Sequence, residues 1–237
     1  MLHARTGRRW AIAGAAFAVS LLAFGLSEPA GAMVTPRLKP PAPGPDYLSQ
    51  SDYEALKNVE SAIDRRDWRA AHDAADAVVD ATAKGLADWL DLYAGDPTVD
   101  FSAVGAFLDA HKDWPALAKF QSDAERRIPS DAATQSVIDF FKTRDPLTGE
   151  GKLALARAEF AQGEKDAAVL HIRSAWINDD FRLADEQRLI SRYGGFLTEE
   201  DQNARVDRLL WEREVTAARR VFSRLSPRNR RMAEARA

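Results

Sequence analysis

A helical spacing of apolar residues, from Ser51 to the C-terminus, constrains the fold of this chain more than any other feature. Apolar side chains recur there every three or four residues, which places them on one face of a helix. Strand-like alternation is nearly absent, and Ala, Leu, Arg and Glu, which favour helices, are abundant. The sequence therefore predicts an all-α protein. The clearest stripes are Tyr53, Leu56, Val59, Ile63; Phe101, Val104, Leu108; Ala168, Ile172, Ala175, Trp176; and Val215, Ala218, Phe222, Leu225.

Turn-forming residues divide this pattern into segments. Their spacing predicts helices of about 11–17 residues joined by short turns, as in antiparallel helical hairpins. Ser51 and Glu54 have the spacing of a capping box, in which a hydroxyl and a carboxylate bind free backbone N–H groups, so we expect the first helix to begin there. The expected breaks are Gly85, Gly95-Asp96-Pro97, Pro129-Ser130, Asp145-Pro146, Gly163 and Gly194-Gly195.

Four similar hexapeptides indicate an internal repeat. They are Arg66–Ala71, Lys112–Leu117, Gly163–Ala168 and Arg213–Ala218. Their first alanines lie at positions 70, 116, 167 and 217, so the steps between them are 46, 51 and 50 residues. In each one a polar turn precedes small residues that let two helix axes approach closely, as in tetratricopeptide-like hairpins. We predict an α-solenoid, or superhelix, of antiparallel helical hairpins, whose curved surface suits binding rather than catalysis.

The N-terminal segment has the composition of an export signal. Arginines at positions 5, 8 and 9 precede an apolar run from Trp10 to Leu26, and Ala30-Gly31-Ala32 supplies the small residues that a signal peptidase recognises. We predict that residues 1–32 are a signal peptide cleaved after Ala32 and that the protein is periplasmic. An uncleaved membrane anchor is the alternative, although the apolar run is short for a span of about 20 residues. Sec and twin-arginine export both remain open.

Composition sets the boundaries of the folded domain. Residues 33–46 are proline-rich and predict an extended linker, so the α-helical domain is expected to cover residues 47–237.

The chain has no cysteine, which excludes disulfides and thiolate metal sites. Residues 46–204 carry a net charge of −13 and residues 205–237 a net charge of +6, which indicates a docking edge or the first part of a longer array. In an exported chain the arginines do not indicate nucleic-acid binding.

No sequence pattern predicts a catalytic, cofactor-binding or metal site. A Gly-x-Ser-x-Gly nucleophile motif is absent, and Gly149-x-Gly151 is interpreted as a turn after Pro146 because no strand precedes it. Five of the six tryptophans, at positions 68, 89, 114, 176 and 211, either wedge helices apart, which we prefer, or stack on sugar rings. The histidines are isolated and none pairs with another four residues away; they are His3, His72, His111 and His171.

Three segments of the second half carry a likeness to a known family. They are Asp145–Ala156 (DPLTGEGKLALA), Ala175–Phe181 (AWINDDF) and Phe196–Trp211, which holds Leu-Thr-x-x-Asp and then Arg-x-Asp-x-Leu-Leu-Trp, with Ala217-Ala218-Arg219-Arg220 after them. Through these residues the chain resembles the N-terminal superhelical (U-type) domain of periplasmic soluble lytic murein transglycosylases. The likeness is good over residues 145–237 and loose over residues 51–144, and Gln202 stands where the family often has histidine.

The resemblance implies an open α-superhelix followed by a lysozyme-like domain, which cleaves peptidoglycan glycan and leaves a 1,6-anhydro end. In that domain one glutamate acts first as acid and then as base. The family's Gly-Leu-Met-Gln and Ala-Tyr-Asn-Ala-Gly motifs do not occur in this chain, and Glu60-Ser61-Ala62-Ile63, inside the first predicted helix, is the only echo of its Glu-Ser-x-Phe motif. We therefore expect a superhelical domain that is truncated at its C-terminus, lacks the catalytic portion and is inactive alone.

Two functions are expected. In the first, the chain is a scaffold that positions glycan strands of peptidoglycan for a lytic transglycosylase. In the alternative, it is a free-standing tetratricopeptide-like periplasmic adaptor that binds a protein partner on its concave face. Neither function requires a cofactor, nucleic acid or stable membrane insertion after cleavage.

Overall fold

The structure is a computed structural model that describes residues 47–237, and every regular element in that part of the chain is a helix. The prediction of an all-α, solenoid-like fold is confirmed. The predicted signal peptide and proline-rich linker lie outside the described residues. Among the helices from Gln50 onward, none combines the length and the apolar character needed to cross a membrane.

The described helices fall into consecutive groups of three. Three-residue 3-10 helices at Gly194–Phe196 and Phe222–Arg224 follow α9 and α11. The α-helices are α1 (Gln50–Asp64), α2 (Trp68–Asp76), α3 (Ala81–Ala94), α4 (Phe101–Ala110), α5 (Leu117–Glu125), α6 (Thr134–Phe141), α7 (Gly149–Gln162), α8 (Lys165–Asn178), α9 (Leu183–Tyr193), α10 (Glu199–Trp211), α11 (Val215–Val221) and α12 (Pro227–Glu234).

Each group consists of a packed hairpin and one further helix. The hairpins are α1/α2, α4/α5, α7/α8 and α10/α11, and the further helices are α3, α6, α9 and α12. The four alanines that marked the sequence repeat lie at the start of the second hairpin helix, either inside its first turn or, for Ala116, just before it. The repeat is therefore present, but its unit holds three helices rather than two. A step of 46 to 51 residues is too long for two helices of 7 to 15 residues.

Three of the hairpin turns share one backbone geometry. Arg66, Gly163 and Arg213 adopt positive φ angles of 56°, 88° and 65°. The N–H of the next residue then donates to the carbonyl five positions back, which closes the helix end as a Schellman motif. The second repeat differs, because Pro115 follows the turn and the positive φ moves to Ala116. Similar hexapeptides therefore encode a similar turn wherever proline does not interrupt it.

Several predicted boundaries are corrected. The N-cap of α1 is Ser49, whose Oγ accepts a hydrogen bond from Asp52 N at 3.0 Å, so Ser51 and Glu54 lie inside the helix. Gly85 does not end a helix; it lies within α3, where its missing side chain makes room for His111. Helices of 7 to 15 residues are also shorter than expected at the low end.

The apolar core follows the order of the chain. One cluster joins α7 to α12 around Trp176 and Ile172, and a second joins the end of α3 to α4–α7 around Phe120. The first repeat has two small clusters in which alanines predominate, such as Val59 with Ala75 and Ala87. Because each cluster draws on neighbouring helices, the packing is local along the sequence, as expected of a solenoid.

Candidate functional site

Helix α3 contributes to two concave surfaces, one on each of two of its faces. Residues three or four positions apart share a helix face, so Asp88, Asp91 and Leu92 lie on one side of α3. Leu86 and Trp89 lie on another side. The first face contributes to a polar cavity against α2 and α4, and the second contributes to an aromatic cleft beside the α4–α5 turn.

The polar cavity has a volume of about 450 Å³. Its wall combines apolar residues of α4, such as Phe107, with His72 of α2, Asp88 and Asp91 of α3, and His111 just after α4. A Cβ at Gly85 would lie 2.9 Å from His111 Cε1, so glycine is required for this close approach of His111 to α3. Two imidazoles and two carboxylates therefore share one cavity.

Asp96 holds one edge of this arrangement. It is fully buried, and its Oδ1 accepts hydrogen bonds from Thr98 N at 2.7 Å and from Thr98 Oγ1 at 2.8 Å. Its Oδ2 lies 2.7 Å from Nε2 of His72. The left-handed conformation of Gly95, with φ of 80°, ends α3 and returns Asp96 toward that helix. The turn that looks like a simple helix break in the sequence therefore places a carboxylate against His72.

Asp91 is the unusual member of the cluster. It is buried, its Oδ2 lies 3.9 Å from His72 Nε2, and its Oδ1 has no hydrogen-bond partner among the described residues. Burial raises the pKa of Asp91 to about 6; His72 lowers it, while the Asp96 and Asp88 carboxylates raise it further. Burial also raises the pKa of Asp88, against the influence of Lys84 and His111. The site thus concentrates negative charge that its own side chains do not fully neutralise.

The sequence carries only a weak signal for this cluster. His72 and His111 lie far apart in the chain and lack the short spacings by which metal ligands are recognised. The expectation of no metal or cofactor site rested on those spacings alone. The weak signal is the placement of Asp91 and Asp96 on either side of Gly95. A glycine at the C-terminal end of a helix reverses the chain direction, which brings the residue after it back toward the helix. His171, in contrast, lies on α8 and pairs with Glu159 at 2.9 Å.

The aromatic cleft lies beside the α4–α5 turn and has a volume of about 340 Å³. Trp89 lines the cleft and donates from Nε1 to the carbonyl of Pro115 at 3.0 Å, and its ring stacks on that of Tyr93 with 4.7 Å between the ring centroids. Trp114 and the exposed Leu86 flank the cleft. The arrangement offers apolar faces of the kind that stack on flat ligands or sugar rings.

The five tryptophans differ in burial. Trp176 is fully buried and Trp211 is exposed, whereas Trp68, Trp89 and Trp114 are partly buried. The interpretation of the tryptophans as helix wedges describes Trp176 well. Trp89 and Trp114 are only partly buried, and both line the aromatic cleft.

The three segments that carry the family likeness meet at joints between helices. Arg205, in the third segment, donates from Nη1 to the carbonyl oxygens of Trp176 and, at 2.9 Å, of Asp179, both in the second segment. Arg208 donates to the carbonyl of Ile177 at 2.7 Å. The two arginines of α10 therefore cap the C-terminal end of α8, where free carbonyl oxygens favour positive charge.

The first segment is held in a similar way by Glu125 at the end of α5. This buried carboxylate accepts hydrogen bonds from Leu147 N at 2.9 Å and from Thr148 N and Oγ1, each at 2.7 Å. Gly149 and Gly151 lie in the first turn of α7, rather than in a turn before it, and both are buried. A Cβ at Gly151 would lie 2.6 Å from the Glu125 carboxyl carbon, so any larger residue there would require Glu125 to shift.

No protein-family model, curated protein or solved structure matches this chain. The likeness to lytic transglycosylases therefore depends on the residues of the three segments themselves.

Proposed function

We propose that this chain is the N-terminal superhelical part of a periplasmic lytic transglycosylase that acts on peptidoglycan. In this role it is a scaffold that positions glycan strands, and cutting belongs to a lysozyme-like domain. The observation that carries the proposal is the joint between α8 and α10. Arg205 and Arg208 of one family-like segment bind the carbonyl oxygens of another, from Trp176 to Asp179.

This joint matters because residues of two family-like segments meet in it. Several of the family-like residues occupy positions that fix one helix against another: the capping box of Thr198 and Asp201 begins α10, and Arg205 is buried within it. Arg173 reaches from α8 to Asp201 at 3.2 Å. A shared pattern of joint residues is what two chains with the same superhelical architecture would have in common.

The aromatic cleft is the surface that we assign to the glycan strand. Sugar rings present flat C–H faces, and aromatic side chains recognise such faces by stacking while neighbouring polar groups bind hydroxyls. Trp89 and Trp114 supply the aromatic faces, and Asp113 supplies an exposed carboxylate at the same cleft. Leu86, at 39% exposure, forms the outer edge.

The test is co-sedimentation of the purified chain with insoluble peptidoglycan. We expect the chain to sediment with peptidoglycan, and we expect Leu86→Glu to reduce the bound fraction by about tenfold, because a charge then replaces apolar surface at the cleft. Leu170→Glu on α8 is the matched control, since Leu170 is exposed at 66% and lies outside the cleft. Equal binding by the two variants would remove the cleft from the proposal, and no sedimentation at all would contradict the proposal itself.

Catalysis is tested separately. Glu60 is exposed on α1 and faces none of the described cavities, so we expect the chain to release no anhydro-muropeptides from purified sacculi. Release that disappears in Glu60→Gln would instead make this chain an enzyme in its own right.

The alternative function, a periplasmic adaptor for a protein partner, has one observation in its favour. Trp211 is 87% exposed at the α10–α11 turn, and exposed tryptophans are frequent anchors of protein interfaces. Retention of a specific periplasmic protein by the wild-type chain and not by Trp211→Ala, without retention on peptidoglycan, would favour the adaptor.

A further inference from the structure

The cluster at the wall of the polar cavity has the donor atoms of a metal site. One atom each from His72, Asp91 and Asp96 can be chosen so that all lie within 4.8 Å of one another. The three residues come from α2, from α3 and from the turn after α3. An ion bound between them would be held by two helices whose relative position is already set by packing.

A second observation points to a ligand, independently of the clustering of acids. Asp91 is 3% exposed, lines the cavity, and has one carboxylate oxygen without a hydrogen-bond partner among the described residues. A buried carboxylate in that condition is costly unless something positive or hydrogen-bonding contacts it. A cation between Asp91 and Asp96 would neutralise both groups at once.

The remaining contacts of Asp96 hold its side chain and its backbone in place. Thr98 binds Oδ1 through its backbone N–H and its hydroxyl, which leaves Oδ2 directed at His72. Metal-ligating carboxylates are commonly fixed by hydrogen bonds of this kind. The backbone carbonyl of Asp96 also accepts from Arg127 Nη1 at 2.7 Å, which anchors the turn to α5 and the residues after it.

The donor set indicates the class of ion. One imidazole nitrogen with two carboxylates suits first-row divalent metals such as Zn²⁺ or Mn²⁺, whereas Mg²⁺ and Ca²⁺ prefer oxygen ligands alone. Three protein ligands leave coordination positions open toward the cavity of about 450 Å³. His111 and Asp88 line the same cavity and could contact water on the ion.

We propose that His72, Asp91 and Asp96 form a binding site for one divalent transition-metal ion, with Zn²⁺ preferred. This site goes beyond the proposed scaffold function and does not depend on it. The competing account is a structural His72–Asp96 hydrogen bond with no ligand. That account gives Asp91 no role, so Asp91 separates the two.

The experiment is titration calorimetry of the full chain with Zn²⁺ after treatment with chelator. We expect one ion per chain, and Asp91→Asn and His72→Gln should each weaken the affinity by about tenfold or more. His171→Gln is the matched control, because His171 also pairs with a carboxylate, Glu159, but lies on α8 away from the cavity. Far-UV circular dichroism checks that each variant is folded.

Thermal unfolding supplies a second readout. Zn²⁺ should raise the unfolding temperature of the wild type and of His171→Gln by similar amounts, and should raise that of Asp91→Asn clearly less at the same metal concentration. In the absence of metal, Asp91→Asn should be as stable as the wild type or more stable, because it removes a buried charge. Equal Zn²⁺ affinity in the wild type and in Asp91→Asn would overturn the proposal. So would selective binding of Mg²⁺, or an equal loss of affinity in His171→Gln.

Discussion

The first repeat and the last two repeats bury carboxylates in different ways. In the region from α7 to α12, Glu186 lies between two guanidinium groups: Arg205 Nη2 at 3.1 Å, and Arg220, whose two nitrogens each lie at 3.0 Å. In the first repeat, Asp91 is equally buried, yet the only basic side chain within 4.0 Å of its carboxylate among the described residues is the imidazole of His72, at 3.9 Å.

The apolar packing of the two regions also differs, because the C-terminal region packs large side chains and the first repeat packs small ones. Trp176, Ile172 and Leu209 are fully buried in the C-terminal cluster, so large side chains fill the space between its helices. Small residues such as Ala75 and Ala87 fill the corresponding space of the first repeat. A core of alanines brings helix axes close together but buries less apolar area, and so it contributes less to stability.

This difference separates structural acids from candidate functional ones. An acid such as Glu186, fully paired with arginines, links helices and leaves no carboxylate oxygen free to bind a ligand. Asp91 keeps one oxygen without a partner and faces a cavity. The burial of an acid does not distinguish the two cases, whereas its hydrogen-bond inventory does.

The largest expected effect comes from breaking the C-terminal joint. Arg205→Met removes the cap on the Trp176 and Asp179 carbonyls and leaves Glu186 with Arg220 alone. We expect a loss of about 3–5 kcal/mol in the free energy of unfolding, measured by urea denaturation, because one partner of a buried ion pair is removed.

The control for this variant is Arg228→Met, at an exposed position of α12. It makes the same chemical change on the surface and should alter the unfolding free energy by less than about 0.5 kcal/mol. If Arg205→Met were no worse than the control, the joint between α8 and α10 would not stabilise the C-terminal region.

A smaller effect is expected at the joint between α5 and α7. In Gly151→Ala the new methyl group would meet the buried Glu125 carboxylate, and overpacking of this kind costs about 1–3 kcal/mol. The higher helix propensity of alanine offsets about 1 kcal/mol of this cost, so the net loss in the free energy of unfolding should be moderate. Gly194→Ala is the control, because its Cβ would have its nearest neighbour at an ordinary 3.7 Å. A more stable Gly151→Ala would mean that Glu125 can move aside.

Much of the fold could be predicted from the sequence because its signals are local. The spacing of Ile172, Ala175 and Trp176 identifies a buried face, and all three are fully buried. The turns at Gly163 and Arg213 recur because each closes a helix by contacts within six residues. The third helix of each repeat was missed because its sequence carries no repeated motif, and the first N-cap was misplaced by two residues because Ser49 and Ser51 satisfy the same rule.

The candidate site could not be predicted because its contacts are not local. His72 and Asp96 are 24 residues apart, and only the packing of α2 against α3 brings them together. Glycine usually indicates a helix break, but Gly85 lies inside α3. Its missing side chain there makes room for His111, which follows the next helix. Helical periodicity predicts which face is buried and says nothing about which polar groups of different helices meet.

The smallest effect is expected at a third buried acid of the first repeat, and it should depend on pH. The backbone N–H of Val79 donates to Asp52 Oδ1 at 2.8 Å and ties α1 to the loop between α2 and α3. This hydrogen bond, aided by Ser49 and by the backbone of Asp80, lowers the pKa of Asp52 although burial acts in the opposite direction. Asp52 therefore differs from Asp91, because its charge is stabilised by hydrogen bonds.

A lowered folded-state pKa means that the Asp52 carboxylate stabilises the fold above the unfolded-state pKa of about 3.9, and that this contribution is lost as the pH falls through the folded-state value. Asp52→Asn should accordingly lower the urea midpoint near pH 7 and have a smaller effect near pH 3. Asp73→Asn, at an exposed position of α2, should have little effect at either pH. A deficit of Asp52→Asn that stayed constant with pH would show that the charge of Asp52 contributes nothing, and the contrast with Asp91 would then rest on geometry alone.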